Sequence, residues 1–218
     1  MSHIIFRLHN LENASDSISD VVDALQHRYC RQVEDDDGNY RTTVDRHSEI
    51  SEDWLHNQYS PDVENPDHYN LSEDFRSYIS NRDYHSRLKW HIDGLLINFW
   101  DMEVYDLGSG GLAPPGGAAN SDGATFWASG DRGVVHEGTH TMMDSDHWHH
   151  NMGRKDKDSG NATAMGATNG EGCSYMQCMA QPDLENGTTK LGYRTVDAIR
   201  AFRDTESAYY GMDDECYD

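Results

Sequence analysis

The densest apolar stretch of the chain, HIDGLLINFW at positions 91–100, is only as long as a strand. No apolar run approaches the roughly 20 residues that cross a bilayer. A core must therefore be assembled from short pieces. HIIFRLH at 3–9 reads as a strand, and SDSISDVVDALQHRY at 15–29 sets Ile18, Val21, Val22 and Leu25 at helical spacing. ATFWAS at 124–129 is a second short strand, and GVVHEGTHTMM at 133–143 opens a helix on Val134 and Val135. YRTVDAIRAFRDTESAYYG at 193–211 is a final helix, with Val196, Ile199, Ala201 and Phe202 on one face. Strands and helices mix without an internal repeat. The pattern predicts an α+β fold over residues 1–218, one domain around a small mixed sheet.

Between these pieces the chain is polar. Residues 32–70 carry QVEDDDGNY, SEISEDW and SPDVENPDHYN, with weak periodicity and turn-forming punctuation. Their composition predicts a long acidic surface insert, at about 32–85, with little regular structure apart from a short helix at 71–79. GSGGLAPPGGAANSDG at 108–123 and the segment 151–172 read as loops.

Hydrophobic residues make up 36% of the chain, and 39 acidic residues face 17 basic ones, a formal net charge of -22. Such a surface repels phosphate, which argues against nucleic acid and anionic membranes as partners. The acids are spread among Trp, Tyr and Phe rather than gathered in a tail, as on a folded acidic surface. An Asp-rich surface with only Lys89, Lys155, Lys157 and Lys190 suits concentrated salt, so a halophilic protein is expected. MSHIIFRLHN does not read as a signal peptide; an extracellular location is expected if a leader precedes it, and an internal one otherwise. Cys30, Cys173, Cys178 and Cys216 do not form a zinc pattern, and their spacing leaves disulfide connectivity open.

The chemistry concentrates in HEGTHTMMDSDHWHH, His136 to His150, with five histidines in fifteen residues. On a helix, His136 and His140 share a face and converge on one point, with Glu137 beside them. This is the H-E-x-x-H arrangement: two imidazoles for a zinc ion, and a carboxylate to take a proton from metal-activated water. A catalytic zinc site needs a third protein ligand.

The segment resembles the metzincin zinc metalloproteases, whose longer motif H-E-x-x-H-x-x-G-x-x-H turns the chain at a glycine and delivers a third histidine. Strict register puts Met143 at the glycine and Asp146 at the ligand. Methionine takes a left-handed turn poorly. One added residue makes Asp144 the turn and His147 the ligand. His147 is favoured, and Asp146 is the alternative. His149 and His150 are read as neighbours of the site or as solvent-facing. The family also has a methionine turn beneath the zinc, which Ser174-Tyr175-Met176 resembles, with Met176 in that place. A glycine-rich loop, an antiparallel edge strand and a closing helix complete the likeness, through GGLAPPGGAANSDGATFWAS and YRTVDAIRAF. The resemblance implies a mostly parallel sheet with an antiparallel edge strand, an active-site helix and a C-terminal helix. It also implies a zinc endopeptidase with Glu137 as general base and a peptide or protein substrate. In some members a tyrosine stands two residues beyond the turn methionine; here that position is Cys178, with Tyr175 and Tyr193 the nearest substitutes. Specificity is expected from CMAQPDLENG after Met176 and from the insert.

Two other readings compete. H-E-x-x-H enzymes of another class take a distant glutamate as ligand, for which Glu171 is the candidate, in a loop. A non-catalytic acidic surface or virion-type protein, or an inactive protease relative, would close the metal with a fourth ligand such as His149 or Asp146. Such a site has no need of Glu137, which favours the enzyme.

Overall fold

The computed structural model of the chain describes residues 2–12, 14, 18–34, 40–64, 68–82, 88–98, 102–105, 107, 111–143, 164–165, 189, 191 and 193–205. The strands are β1 (Ser2–Leu11), β2 (Tyr40–Ile50), β3 (His91–Ile97), β4 (Gly111–Leu112) and β5 (Ala124–Ser129). The helices are α1 (Ile18–Arg28), α2 (Glu52–Tyr59), α3 (His68–Ser80), α4 (Gly130–His140) and α5 (Tyr193–Thr205). A π-helical turn, Tyr29–Val33, extends α1. The strands form one sheet in the order β2-β1-β3-β5-β4. Neighbours run parallel, except that β4 pairs antiparallel with β5 at one edge. This is the small mixed sheet that the sequence pattern predicts, mostly parallel with an antiparallel edge strand as the resemblance implies. No helix among the described residues is long and apolar enough to cross a membrane.

Alternation along the strands sends side chains to two cores. Ile4, Phe6, Leu8, Ile92, Leu96, Phe126 and Ala128 meet α1, α4 and α5 on one face. Leu11, Leu95, Ile97 and Trp127 meet α2 and α3 on the other. The second face also carries a polar group. Parallel register sets Arg7 of β1 opposite Asp93 of β3, and the Arg7 guanidinium donates to the carboxylate at 2.7 Å. His9, two residues along β1, lies 3.7 Å from the same carboxylate through Nε2.

Residues 32–85 differ from expectation. Instead of a largely irregular insert they contain β2, α2 and a longer α3, and β2 is an 11-residue edge strand paired along β1. Its sequence, YRTTVDRHSEI, lacks an apolar rhythm because an edge strand need not bury a full face. The Ser51 side chain caps α2 by accepting from the Trp54 N–H at 3.5 Å. Buried Glu52 accepts backbone N–H groups of Val104 and Tyr105 at 2.9 and 3.3 Å. Tyr105 and Ser60 both donate to the buried Asp74 carboxylate. These segments are therefore a structural layer over the second face. The glycine-rich stretch differs too: it contains β4, so the edge strand is Gly111–Leu112, and ATFWAS is the interior strand β5.

Candidate active site

α4 leaves β5 with no intervening loop. Gly130, with φ 72°, makes the turn in a conformation that glycine alone adopts without cost. The helix then crosses the first face of the sheet. Val134 and Val135 are fully buried there, each worth roughly 1.5–3 kcal/mol of apolar burial. Gly138 permits the close approach, since a Cβ on it would lie 3.2 Å from Cε1 of Phe6. Tyr29 and Thr139 share a buried hydroxyl–hydroxyl hydrogen bond of 2.5 Å, tying α4 to the π-helical turn. These contacts fix the helix rotation, and with it the direction of the next residues.

The helix ends at His140 for a visible reason. Its free carbonyls are taken by the loop APPGGAA: the Gly116 N–H donates to His140 O at 3.0 Å, and the Ala118 N–H donates to Thr141 O at 2.9 Å. Beyond it the chain tightens, with Met142 N–H donating to Thr139 O and Met143 N–H to His140 O. Met142 and Met143 are buried in the first core. Trp90 is the only non-glycine residue with positive φ among the described residues. Met143 therefore does not make the left-handed turn that strict motif register assigns to it.

The i, i+4 pair behaves as the spacing predicts. His136 and His140 bring their Nε2 atoms to 3.1 Å, with ring centroids 4.6 Å apart and planes at 82°. His136 Nδ1 lies 2.7 Å from the carbonyl oxygen of Ala164. A ring nitrogen facing a carbonyl must donate, so Nδ1 carries the proton and Nε2 presents a lone pair. That is the usual tautomer of a metal-ligating histidine. Two nitrogens on one tetrahedral zinc stand about 3.3 Å apart, so the pair fits such an ion. Among the described residues no three His, Cys, Asp or Glu side chains gather as a metal site; α4 brings two imidazoles together.

Glu137 points elsewhere. Its side chain lies against Gly111 of β4, where an added Cβ would meet its Cγ at 2.6 Å and its Oε1 at 2.7 Å. Burial pushes its carboxyl up to about 8 from an ordinary 4.5. A carboxyl held in that range accepts and releases protons near neutrality.

Of the predicted site residues, the structure brings the His136 and His140 rings together, and sets the adjacent Glu137 side chain against Gly111. His147, Asp146, His149, His150, Asp144, Glu171, Ser174, Tyr175, Met176 and Cys178 lie outside the described residues, and Tyr193 opens α5. Sequence reasoning did not find Ala164 or Gly111. Ala164 contributes only a carbonyl, which every residue has. Gly111 sits among other glycines, and its partner is 26 positions away.

No family model matches the chain, and no curated protein matches it. Among solved structures, metalloproteinase-II from Bacteroides fragilis is similar with a TM-score of 0.46 and 14% identity, over 67% of this chain and 44% of that one. The chain thus spans less than half of that protein's length. A likeness at this level identifies no family, and the functional reading rests on the side chains of α4.

Proposed function

We propose that the chain is a zinc-dependent endopeptidase that hydrolyses peptide bonds with metal-activated water. One observation carries the reading: two imidazole Nε2 atoms converge to 3.1 Å while His136 Nδ1 donates a hydrogen bond to a backbone carbonyl, one residue from a half-buried carboxyl. His136 and His140 would hold the ion, with His147 as the third ligand and Asp146 as the alternative, over a methionine turn at Met176. The catalytic unit is a single domain, 1–218, whose substrate is a peptide or protein and whose surface disfavours nucleic acid. When bound, zinc would supply Lewis acidity that brings the pKa of water near 7 and polarises the scissile carbonyl.

The protein's own contribution is the Glu137 carboxyl. In the metal-free site burial keeps it protonated at neutral pH. A neighbouring divalent cation favours the carboxylate, which readies the same group to accept a proton. Glu137 takes that proton on a carboxylate oxygen from the attacking water, then delivers it to the departing amine. His136 is oriented by the Ala164 carbonyl, and His140 follows it one turn later on α4.

The test is Glu137→Gln. The variant should keep one zinc per chain, measured by mass spectrometry, because Glu137 is not a ligand. Cleavage of an unstructured protein should fall by about 10²–10⁴-fold. An active variant would overturn the role of Glu137, and a metal-replete protein without zinc would overturn the reading as a whole.

A further inference from the structure

The edge strand β4 is only two residues long, yet its first residue touches the carboxyl group on which the proposed chemistry depends. A Cβ built on Gly111 would lie 2.6 Å from Cγ, 2.7 Å from Oε1 and 2.9 Å from Cδ of Glu137. Real Cβ contacts do not come so close, so one partner must yield. Gly111 is anchored by pairing with Ala128 of β5, and Glu137 is anchored in α4 through its Cα. The free end of the Glu137 side chain is the softest element of the contact. Gly123 offers a contrast: there an added Cβ would meet the backbone oxygen of His91 at 2.1 Å, and the fold itself would have to move.

We infer that Gly111 is a positioning residue for Glu137: bare backbone at this point of the rim strand is what lets the carboxylate stand where it must to exchange protons. The inference rests on the peptidase reading and adds a residue to it. A side chain at 111 would leave the sheet, the histidine pair and the metal in place while turning the carboxylate aside. Displacement of a catalytic group by about 1 Å can cost about 100-fold in rate.

The experiment is a double-mutant cycle of Gly111→Ala with Glu137→Ala, read first by thermal melting. Glu137→Ala removes the three nearest atoms that the new Cβ would meet. Gly111→Ala should lower the melting temperature of the wild type and leave the Glu137→Ala background unchanged. Equal shifts in both backgrounds would overturn the contact. Kinetics supply the second reading: Gly111→Ala should lose about 100-fold in kcat, keep KM within a few-fold, and retain one zinc per chain. Loss of zinc in parallel with activity, or kcat within threefold of wild type, would overturn the positioning role. A wild type that binds zinc but cleaves nothing would instead refute the peptidase reading, and the melting cycle would still decide whether Gly111 sets the Glu137 carboxyl.

Discussion

Two carboxyl groups on opposite faces of the sheet, the buried Asp93 and the partly buried Glu137, are treated in opposite ways. On the face covered by α2 and α3, Asp93 is fully buried, and burial alone would raise its pKa. The nearby His9 imidazole, 3.7 Å away, and the adjacent Arg7 guanidinium outweigh that and hold it below the ordinary value. On the face crossed by α4, desolvation raises the Glu137 carboxyl to about 8. The difference separates structure from reactivity. Asp93 is compensated by fixed partners, as a carboxyl in a structural role would be, whereas Glu137 is left poised, as the proposed proton exchange would require.

The contrast is sharpest in activity. Glu137→Gln should remove about 10²–10⁴-fold of the cleavage rate while the protein stays folded. Asp93→Ala should do the reverse. It leaves the Arg7 charge buried without its carboxylate, which costs about 3–5 kcal/mol of stability. Denaturant unfolding measures that loss, and the remaining folded protein should keep its zinc. If Asp93→Ala is harmless to stability, the buried pair is not structural and the contrast collapses.

The pH dependence of the metal-free protein has opposite signs on the two faces. The Asp93 pKa is depressed from 3.8, so its contribution is present above that value and is lost as pH falls through the lower folded pKa. The Glu137 pKa is raised from 4.5 to about 8, so the folded state holds a proton that the unfolded chain releases. Stability from this group falls as pH rises between those values and then levels off. Chemical denaturation across pH should show Glu137→Gln flattening the slope between pH 4.5 and about 8 alone, and Asp93→Asn the limb below 3.8 alone. One limb changing in both variants would mean that the groups are coupled through the sheet.

Salt addresses neither face directly and should have the smallest effect on the contrast between them. With a net charge of -22, screening that shortens from about 10 Å at 0.1 M to about 3 Å at 1 M should raise the melting temperature of wild type, Asp93→Asn and Glu137→Gln in parallel. A flat response from 0.1 to 2 M potassium chloride would refute the halophilic proposal.

Local features of the molecule were legible in the sequence, and contacts between distant segments were not. His136, Glu137 and His140 are fixed relative to one another by helical geometry over five residues, so spacing alone placed them. β1, β3 and β5 announced themselves because both of their faces are covered. β2 did not, since its Thr, Asp, Arg and Glu residues lie at an edge. The start of α2 was marked by Ser51 in SEDW, a cap signal inside a segment that otherwise looked irregular. Gly111 against Glu137, and Ala164 against His136, depend on tertiary placement, which no periodicity records. The helix end was partly legible: poor tolerance of Met143 for a left-handed turn agrees with its buried position and the absence of a positive φ there.

The stitching of APPGGAA to the end of α4 has a consequence for how this chain can vary. Surface loops rich in Gly and Pro are ordinarily where lineages gain and lose residues. Here Gly116 and Ala118, two apart, match the carbonyls of His140 and Thr141, and the Ala118 carbonyl in turn receives the Trp90 N–H at 2.7 Å. Adding or deleting one residue between 113 and 118 would slip this ladder and release the carboxyl end of the histidine-bearing helix. Descendants of this chain should therefore keep the length of the loop even where they change its letters, and grafts aimed at new specificity belong elsewhere on the surface.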